Sequence, residues 1–485
     1  MKKLNFLAVL LGGLLSAQAT FTLVKDIYPG AVGSIPNNIV INEGKMYFSA
    51  SSTVNGSSIG TELWESDGTE SGTKLVADIM PGTNSSNPNG FYVYNGKVYF
   101  TSAAMINGTS SFNTFMSYDS VNGVQNVSTT VKSPSNYTLL GNRLYFKATN
   151  AAVTPTTSRV FYFDANNQPV IADDNTNVAL IGAAGNKIVA TAQYTNAANI
   201  YNYQLFAYDG TTLNLLKTIN PSAMAYPQLY YSSAVLGKTI FNAVGPNGNE
   251  PYLTDGTEQG TVLLKDINTT NASAGSFTQN FTDYKGKVFF TASDGGATGS
   301  ELYTTDGTPE GTALFKDIVP GSGGSAPQNL TVFKDKLYFF VTNVGNVKQL
   351  WESDGTVAGT KSLADVNTVT GLYVYNNNLY FSGRVSIADN IGAELYKVNL
   401  PDATLAVSDS SKSEIKIYPN PSKGTFFVNG VKAGNFEMYD FSGRMIKAGK
   451  ISEGKVSVNA AAGNYILKVK SDDNKISQSQ KVVIQ

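Results

Sequence analysis

Glu62-Leu63-Trp64-Glu65-Ser66-Asp67-Gly68-Thr69 runs on through Gly72-Thr73, Leu75-Val76-Ala77-Asp78-Ile79 and Pro81-Gly82. This stretch decides the fold because it returns. It recurs as Glu301 to Thr308 with Gly311-Thr312 and Asp317-Ile318-Val319-Pro320-Gly321. It recurs again as Leu350-Trp351-Glu352-Ser353-Asp354-Gly355-Thr356 with Gly359-Thr360, and as Glu250 to Thr257. A second phrase precedes each copy: a turn, in most copies a Lys or Arg, then an apolar-aromatic run. Its centres are Tyr47, Tyr99, Tyr145, Val189, Ile240, Phe289, Tyr338 and Tyr380. A repeat of roughly 40–50 residues is the size of a four-stranded propeller blade.

Each unit reads as four strands. Strand A precedes a hairpin turn (Leu330 to Phe333) and strand B follows it (Lys336 to Phe340). Strand C is the Leu-Trp-Glu-Ser segment, and strand D is Leu-Val-Ala-Asp-Ile. Between C and D sits Asp-Gly-Thr-x-x-Gly-Thr, where Gly supplies positive φ and the Asp carboxylate accepts backbone N–H groups. Strands B and C are near-continuous apolar runs, the pattern of a sheet covered on both faces. The Trp64 position becomes Met116, Phe161, Phe206, Tyr252, Tyr303, Trp351 and Tyr396. A position filled in every repeat reads as packing between units rather than as a ring of sugar-stacking aromatics.

The count closes on itself. The chain after Thr20 opens with a lone D strand, Leu23-Val24-Lys25-Asp26-Ile27, and the last unit supplies only A, B and C (Gly371 to Tyr375, Leu379 to Ser382, Glu394 to Val398). Pairing the orphan D with the final C would remove an open sheet edge. The expected fold class is therefore all-β: an eight-bladed β-propeller over residues 20–400, then a small Ig-like β-sandwich. Units two to four are degenerate, with Asp119-Ser120 and Asp164-Ala165 replacing Asp-Gly in two of them, so a seven-bladed wheel is the alternative. The repeat resembles the bacterial family named for its ELWxxDGT repeats, over about residues 21–400. That resemblance implies a secreted protein and transfers no catalytic residue.

The N-terminus reads as a secretory signal over residues 1–19: Lys2 and Lys3, an apolar stretch Leu4 to Leu15, and Ala17-Gln18-Ala19, with cleavage between Ala19 and Thr20. The apolar stretch is shorter than the ~20 residues of a spanning helix, and no membrane span is expected in the mature chain. Residues 401–413 are small and polar, a linker by composition.

From 414 the repeat is gone. Tyr418-Pro419-Asn420-Pro421 with Gly424, Phe441-Ser442-Gly443-Arg444-Met445-Ile446, Gly463-Asn464-Tyr465-Ile466-Leu467 and a terminal Lys481-Val482-Val483-Ile484-Gln485 follow in order. Together they resemble the type A sorting domain of the type IX secretion system, over residues 414–485. This implies Sec export to the periplasm, passage across the outer membrane through the type IX machinery, removal of the tail, and release or attachment at the cell surface.

Chemistry is sparse. The chain has 485 residues, no Cys and no His, and a net charge of -1. Disulfides, thiolate nucleophiles and His-dependent triads are excluded within it, and there is no pull toward nucleic acid. No phosphate-cradling Gly-rich motif occurs. Asp173-Asp174 with Asn175 and Asn177 could place hard oxygens around calcium, as could Asp472-Asp473-Asn474, although each also reads as a solvated turn. Asp26, Asp78, Asp266, Asp317 and Asp365 recur at the end of strand D, where a turn role outweighs a metal ring. No cofactor is expected and no catalytic residue is singled out. The expectation is a secreted or surface binding and adhesion module, with a glycan or protein ligand on its loops. The B–C loops Ser51 to Thr61, Ser102 to Phe112, Ala192 to Tyr201 and Arg384 to Gly392 are its candidate face. The alternatives are a secreted carbohydrate-active enzyme using Asp or Glu, and a structural surface or matrix component.

Overall fold

The computed structural model describes residues 18–54, 56–152, 157–173, 178–195, 201–221, 223–270, 274–401, 417–429, 431–440, 444–472 and 477–485. The charged and apolar parts of the signal, the linker, Asp174, Asn175, Asn177, Gly443, Asp473 and Asn474 lie outside these. The described chain is all β, without a helix, and divides into two compact units, residues 1–401 and 402–485.

The first unit is a propeller. Six four-stranded antiparallel sheets and one seven-stranded sheet carry the eight repeat units. In the first unit Asn37–Asn42, Lys45–Val54, Ser57–Ser66 and Lys74–Ala77 take the A, B, C and D roles in order. The innermost strands touch in sequence. Asn37–Asn42 meets Asn89–Tyr94, then Gly123–Leu140, Val178–Ala184, Gln228–Ser233, Gln279–Tyr284, Gln328–Phe333 and Thr368–Tyr375, which returns to Asn37–Asn42. The ring is closed by Thr20–Lys25, which pairs antiparallel with Glu394–Asn399. That strand completes the last sheet, as the orphan D segment requires.

In the seven-stranded sheet one strand takes two roles. Its strand Gly123–Leu140 pairs through its first part with Thr109–Asp119 and through its second with Arg143–Asn150. It serves one unit as strand D and the next as strand A. At three other junctions a Pro-Gly and Ser segment (29–34, 81–86 and 320–325) separates those two roles. Here only Ser133-Pro134 remains, so the ladder runs through.

Packing follows from the apolar B and C strands. Phe48, Phe100, Phe146, Phe241, Phe290, Phe339 and Phe381 are fully buried. The clusters join neighbours: Phe289 and Leu302 of one unit pack with Leu337, Phe339 and Val341 of the next. Across the closure, Tyr380 and Leu395 pack with Met46, Phe48 and Trp64. Each such side chain removed from water contributes about 1.5–3 kcal/mol. The Trp64 position is buried or half-buried in all eight units, so it serves packing between units.

The second unit departs from a two-sheet sandwich. Its seven strands form one sheet in the spatial order Ile417–Tyr418, Thr425–Val428, Lys455–Ser457, Met445–Ser452, Ala433–Tyr439, Gly463–Ser471, Ser477–Ile484. A parallel bridge between Ser422 and Ile484 then joins the two ends. The sheet curls around Phe426, Met438, Val456, Leu467, Val469 and Val482. The strand Met445–Ser452 is mostly exposed and lacks apolar alternation.

Candidate ligand-binding rim

A Glu opens three of the four clear copies of the phrase, with Gln349 in that place in the other, and Glu394 opens strand C of the last unit. Glu62, Glu250, Glu301 and Glu394 are fully buried, and burial raises the pKa of each, that of Glu394 to about 7. Buried carboxylates need donors, and here the donors come from the segment leading into the next unit. Glu62 accepts from Ile79 N (2.8 Å), Ser86 N (2.9 Å) and Ser86 Oγ (2.6 Å). Glu301 accepts from Ile318 N (3.0 Å), Val319 N (3.1 Å) and Ser325 Oγ (2.5 Å). Glu250 holds Ile267, Asn268 and Ser276 in the same way. Glu394 holds Ile27, Tyr28 and Ser34 across the closure. In the fourth unit Gln204 takes the place of Glu. Its Oε1 accepts from Ile219 N (2.8 Å) and its Nε2 donates to Asn220 O (2.8 Å).

What these side chains hold is a repeated turn at the entrance to each inner strand. It reads Ser34-Ile35-Pro36-Asn37, Ser86-Asn87-Pro88-Asn89, Ala225-Tyr226-Pro227-Gln228, Ser276-Phe277-Thr278-Gln279 and Ser325-Ala326-Pro327-Gln328. The first and third residues are buried and the second is exposed; the fourth is exposed except at Gln328, which is half-buried. The second residue always has positive φ: Ile35 51°, Asn87 48°, Tyr226 40°, Phe277 49° and Ala326 44°. Ser133, before Pro134, repeats it at 50°. Positive φ is rare outside Gly, and a following proline disfavours it further. Such a residue costs of order 1–3 kcal/mol and persists only where its surroundings fix it.

Three bonds do the fixing. The buried Glu holds the Ser. The N–H of the exposed residue donates to the carbonyl just before that Glu, as in Asn87 N to Thr61 O (3.0 Å) and Ala326 N to Ser300 O (2.9 Å). The carbonyl of the third residue accepts a hydroxyl from strand B of the preceding unit, as in Thr291 Oγ1 to Pro327 O (2.6 Å); Thr191 to Pro227 and Ser382 to Pro36 do likewise. The result is a ring of rigid turns at one mouth of the central channel. Each presents one variable side chain and, in these five, one carboxamide. The segments 27–42, 79–96, 218–237, 267–282 and 318–333 contain no Asp, Glu, Lys or Arg. Beside Gln228, a cavity of about 530 Å³ opens between the inner strands at 136–139, 180–183 and 228–232, also lined without charge.

The Asp-Gly-Thr loops join strands C and D at the opposite ends of the strands. Asp67 Oδ1 accepts from Thr69 N (2.9 Å) and Thr69 Oγ1 (2.6 Å), while Thr73 Oγ1 donates to Thr69 O (2.6 Å). Asp255, Asp306 and Asp354 repeat this. The bonds from Thr hold these carboxyls below the usual range. Strand-D lysines tie each loop to the previous unit: Lys25 Nζ to Thr73 O (2.7 Å), Lys265 Nζ to Thr312 O (2.6 Å), Lys316 Nζ to Thr360 O (3.1 Å).

Among the strand-D acids, Asp365 accepts from Gln349 Nε2 (2.8 Å) and Asp266 from Asn247 Nδ2 (2.6 Å). Among the described residues no group of three or more acids could hold a metal ion. Asp173 Oδ2 accepts from Leu213 N (2.9 Å). Ala19 is buried, its N–H bonded to Leu363 O (3.1 Å), and Thr20 begins the closing strand. Two of the four expected B–C loops are instead hairpin extensions: Val54 pairs with Ser57 and Ile106 with Thr109; residues 196–200 of the third lie outside the described residues. Asn107 and Gly108, both at positive φ, make a two-residue turn that lets the Ser/Thr-rich arms keep their ladder.

In the sorting-domain motif, Asn420 Nδ2 donates to Lys481 O (2.9 Å) and Asn420 Oδ1 accepts from Val483 N (2.8 Å). The Tyr418-Pro419-Asn420-Pro421 turn is thereby tied to the last strand. Gly424 has φ +86°, and a Cβ there would lie 2.4 Å from Val458 O. Gly463 pairs with Ile484, and Tyr465 Oη donates to Ala461 O (2.8 Å). Arg444 Nε bonds Asp440 Oδ2 (3.0 Å).

Residues 416–485 match the family described as the secretion system C-terminal sorting domain, the type IX sorting domain that the motifs resemble. The chain is thus an exported protein. A curated relative, the ulvan lyase NLR42 of Nonlabens ulvanivorans, is 25% identical over 174 residues. That alignment spans 35% of this chain and 30% of the relative. Among solved structures, the Dos1 propeller aligns at 10% identity and a TM-score of 0.45, over 78% of this chain and 95% of that one. The β-propeller domain of the Trilobed protease from Pyrococcus furiosus aligns at 11% identity and a TM-score of 0.40, over 69% and 99%. No helix among the described residues is long and apolar enough to cross a membrane.

Proposed function

We propose that this chain is a secreted or cell-surface binding protein, delivered by the type IX machinery through residues 414–485, whose propeller engages its ligand at the uncharged rim. The observation that carries the reading is the rim turn. Buried Glu, Gln, Ser, Thr and Asn side chains fix its backbone in one conformation, while the exposed second residue varies among Ile, Asn, Tyr, Phe and Ala. A fixed scaffold with a variable displayed position is the arrangement of a recognition surface. The resemblance to ELWxxDGT-repeat proteins supports the same reading. The rim segments themselves carry no Asp or Glu; binding without turnover is the proposed activity, and no cofactor is invoked.

A second reading, a carbohydrate-active enzyme using Asp or Glu, is favoured by the partial likeness to a ulvan lyase. Incubating the purified mature chain with a panel of polysaccharides separates the two: new reducing ends or unsaturated ends would overturn the binding reading. For export, deleting 414–485 is expected to strand the propeller in the periplasm. Surface delivery of the truncated chain would sink that assignment.

A further inference from the structure

We propose that the sector of the rim formed by Tyr226, Gln228, Phe277 and Gln279 binds a neutral glycan, an inference that rests on the binding reading above and names its ligand class. Tyr226 and Phe277 occupy the variable position of two adjacent turns, and they are 39% and 66% exposed. The turn itself does not need an aromatic there, since Ala326, Asn87 and Ser133 adopt the same conformation at equivalent positions. Nor does burial reward Phe277. A large apolar side chain held in a strained backbone and left in water has no structural return at that position, and strain of this kind gathers at ligand sites.

The chemistry of the sector is specific. Tyr226 is braced by Tyr203, their rings stacked at 4.7 Å and 20°, and it still stands 39% exposed. Two residues on, Gln228 and Gln279 are exposed, and each carboxamide offers both a donor and an acceptor. Flat apolar faces beside carboxamides match a sugar ring, which has an apolar C–H face and a rim of hydroxyls. The adjoining cavity of about 530 Å³ is also uncharged and begins at Gln228. The segments 218–237 and 267–282 carry no cation for a uronate or sulfate and no anion for an amine. They also lack the Arg that enriches protein interfaces. The displayed chemistry therefore favours a neutral hexose polymer over an anionic polysaccharide or a protein.

The test uses the chain from Thr20 to its last residue, 20–485, with neutral gluco- and manno-oligosaccharides and with oligogalacturonate as the anionic arm, read by calorimetry. A neutral oligosaccharide is expected to bind and the uronate not to. The variant carrying Tyr226→Ala and Phe277→Ala is expected to bind at least about tenfold more weakly, a loss of about 1.4 kcal/mol, with an unchanged melting temperature because the turn accepts Ala. Phe277→Tyr should keep binding, and Ile35→Ala, on a distant turn, should leave it intact. Equal binding by the double variant would overturn the sector while leaving the rim reading in place. Binding of the uronate alone would overturn the ligand class. So would attachment to cells that no sugar blocks and that protease treatment of those cells abolishes. Turnover of the oligosaccharide would instead overturn the binding reading.

Discussion

Leu23 sits directly across from Tyr396 in the sheet that closes the propeller, so the first folded strand is the edge of the last unit. Around that joint Glu394 reaches back to Ser34, and Lys25 reaches forward to the carbonyl of Thr73. The closure therefore uses the same kinds of bond that Glu301 and Lys316 make between other units.

Removing residues 20–25 should open this joint. The strand Glu394–Asn399 would then present an unpaired edge, a template for other chains. We expect a lower melting temperature and concentration-dependent oligomers by light scattering. A monomeric, equally stable truncation would mean the closing strand contributes nothing.

Glu394 should make stability depend on pH. Its carboxyl is raised from 4.5 to about 7 by burial, so the folded state holds its proton more tightly than the unfolded chain does. The contribution is complete below pH 4.5 and is lost as pH rises through 7, about 3 kcal/mol in all. Glu394→Gln should flatten this slope between pH 4.5 and 7 in urea titrations, because Gln204 already fills the equivalent place as a neutral amide. An unchanged slope would assign the dependence elsewhere.

Gly72 closes the Asp67 loop, and a Cβ there would fall 2.0 Å from Asp67 Oδ1. Gly72→Ala should displace the carboxylate from Thr69 and destabilise by about 2 kcal/mol. Chemical denaturation reads this directly. A neutral outcome would show that the loop adjusts without cost.

Lys265 donates to Pro309 O and Thr312 O in the next unit. Lys265→Met keeps much of the stem but leaves both carbonyls without this donor. A loss of about 1–2 kcal/mol is expected. The same change at Lys74, whose partner is the Glu65 carboxylate and whose side chain is largely exposed, should cost little. Equal effects would argue against a specific tie between units.

The fold was legible because its units repeat. The phrase from Glu62 to Thr73 exposes its own period, and the apolar B and C runs declare sheets covered on both faces. The closing strand was legible as well, since Leu23–Ile27 is a D segment without its A, B and C. The rim was not. Its Ser-x-Pro turns look like ordinary loop composition, and the opening Glu of the phrase looks like a surface acid. A signal existed in the register: each clear Glu precedes a Ser or Pro-Gly segment at a nearly constant distance. The hairpin extensions at Val54–Ser57 and Ile106–Thr109 were also misjudged, because Ser, Thr and Asn suit loops and exposed strands alike.

The amino-acid order alone determined that tandem four-stranded units fill residues 20–400, that the ends of that array belong together, and that a sorting domain follows. Local period and turn chemistry suffice for this, because every repeat states them again. Only the tertiary structure decided which side chains face the channel mouth. That depends on a buried carboxylate of one unit bonding the entrance of the next, and on strained backbone held by neighbours distant in sequence. The partners of such a bond lie 17 to 26 residues apart within the array and 360 apart at the closure, beyond the reach of local period and turn chemistry.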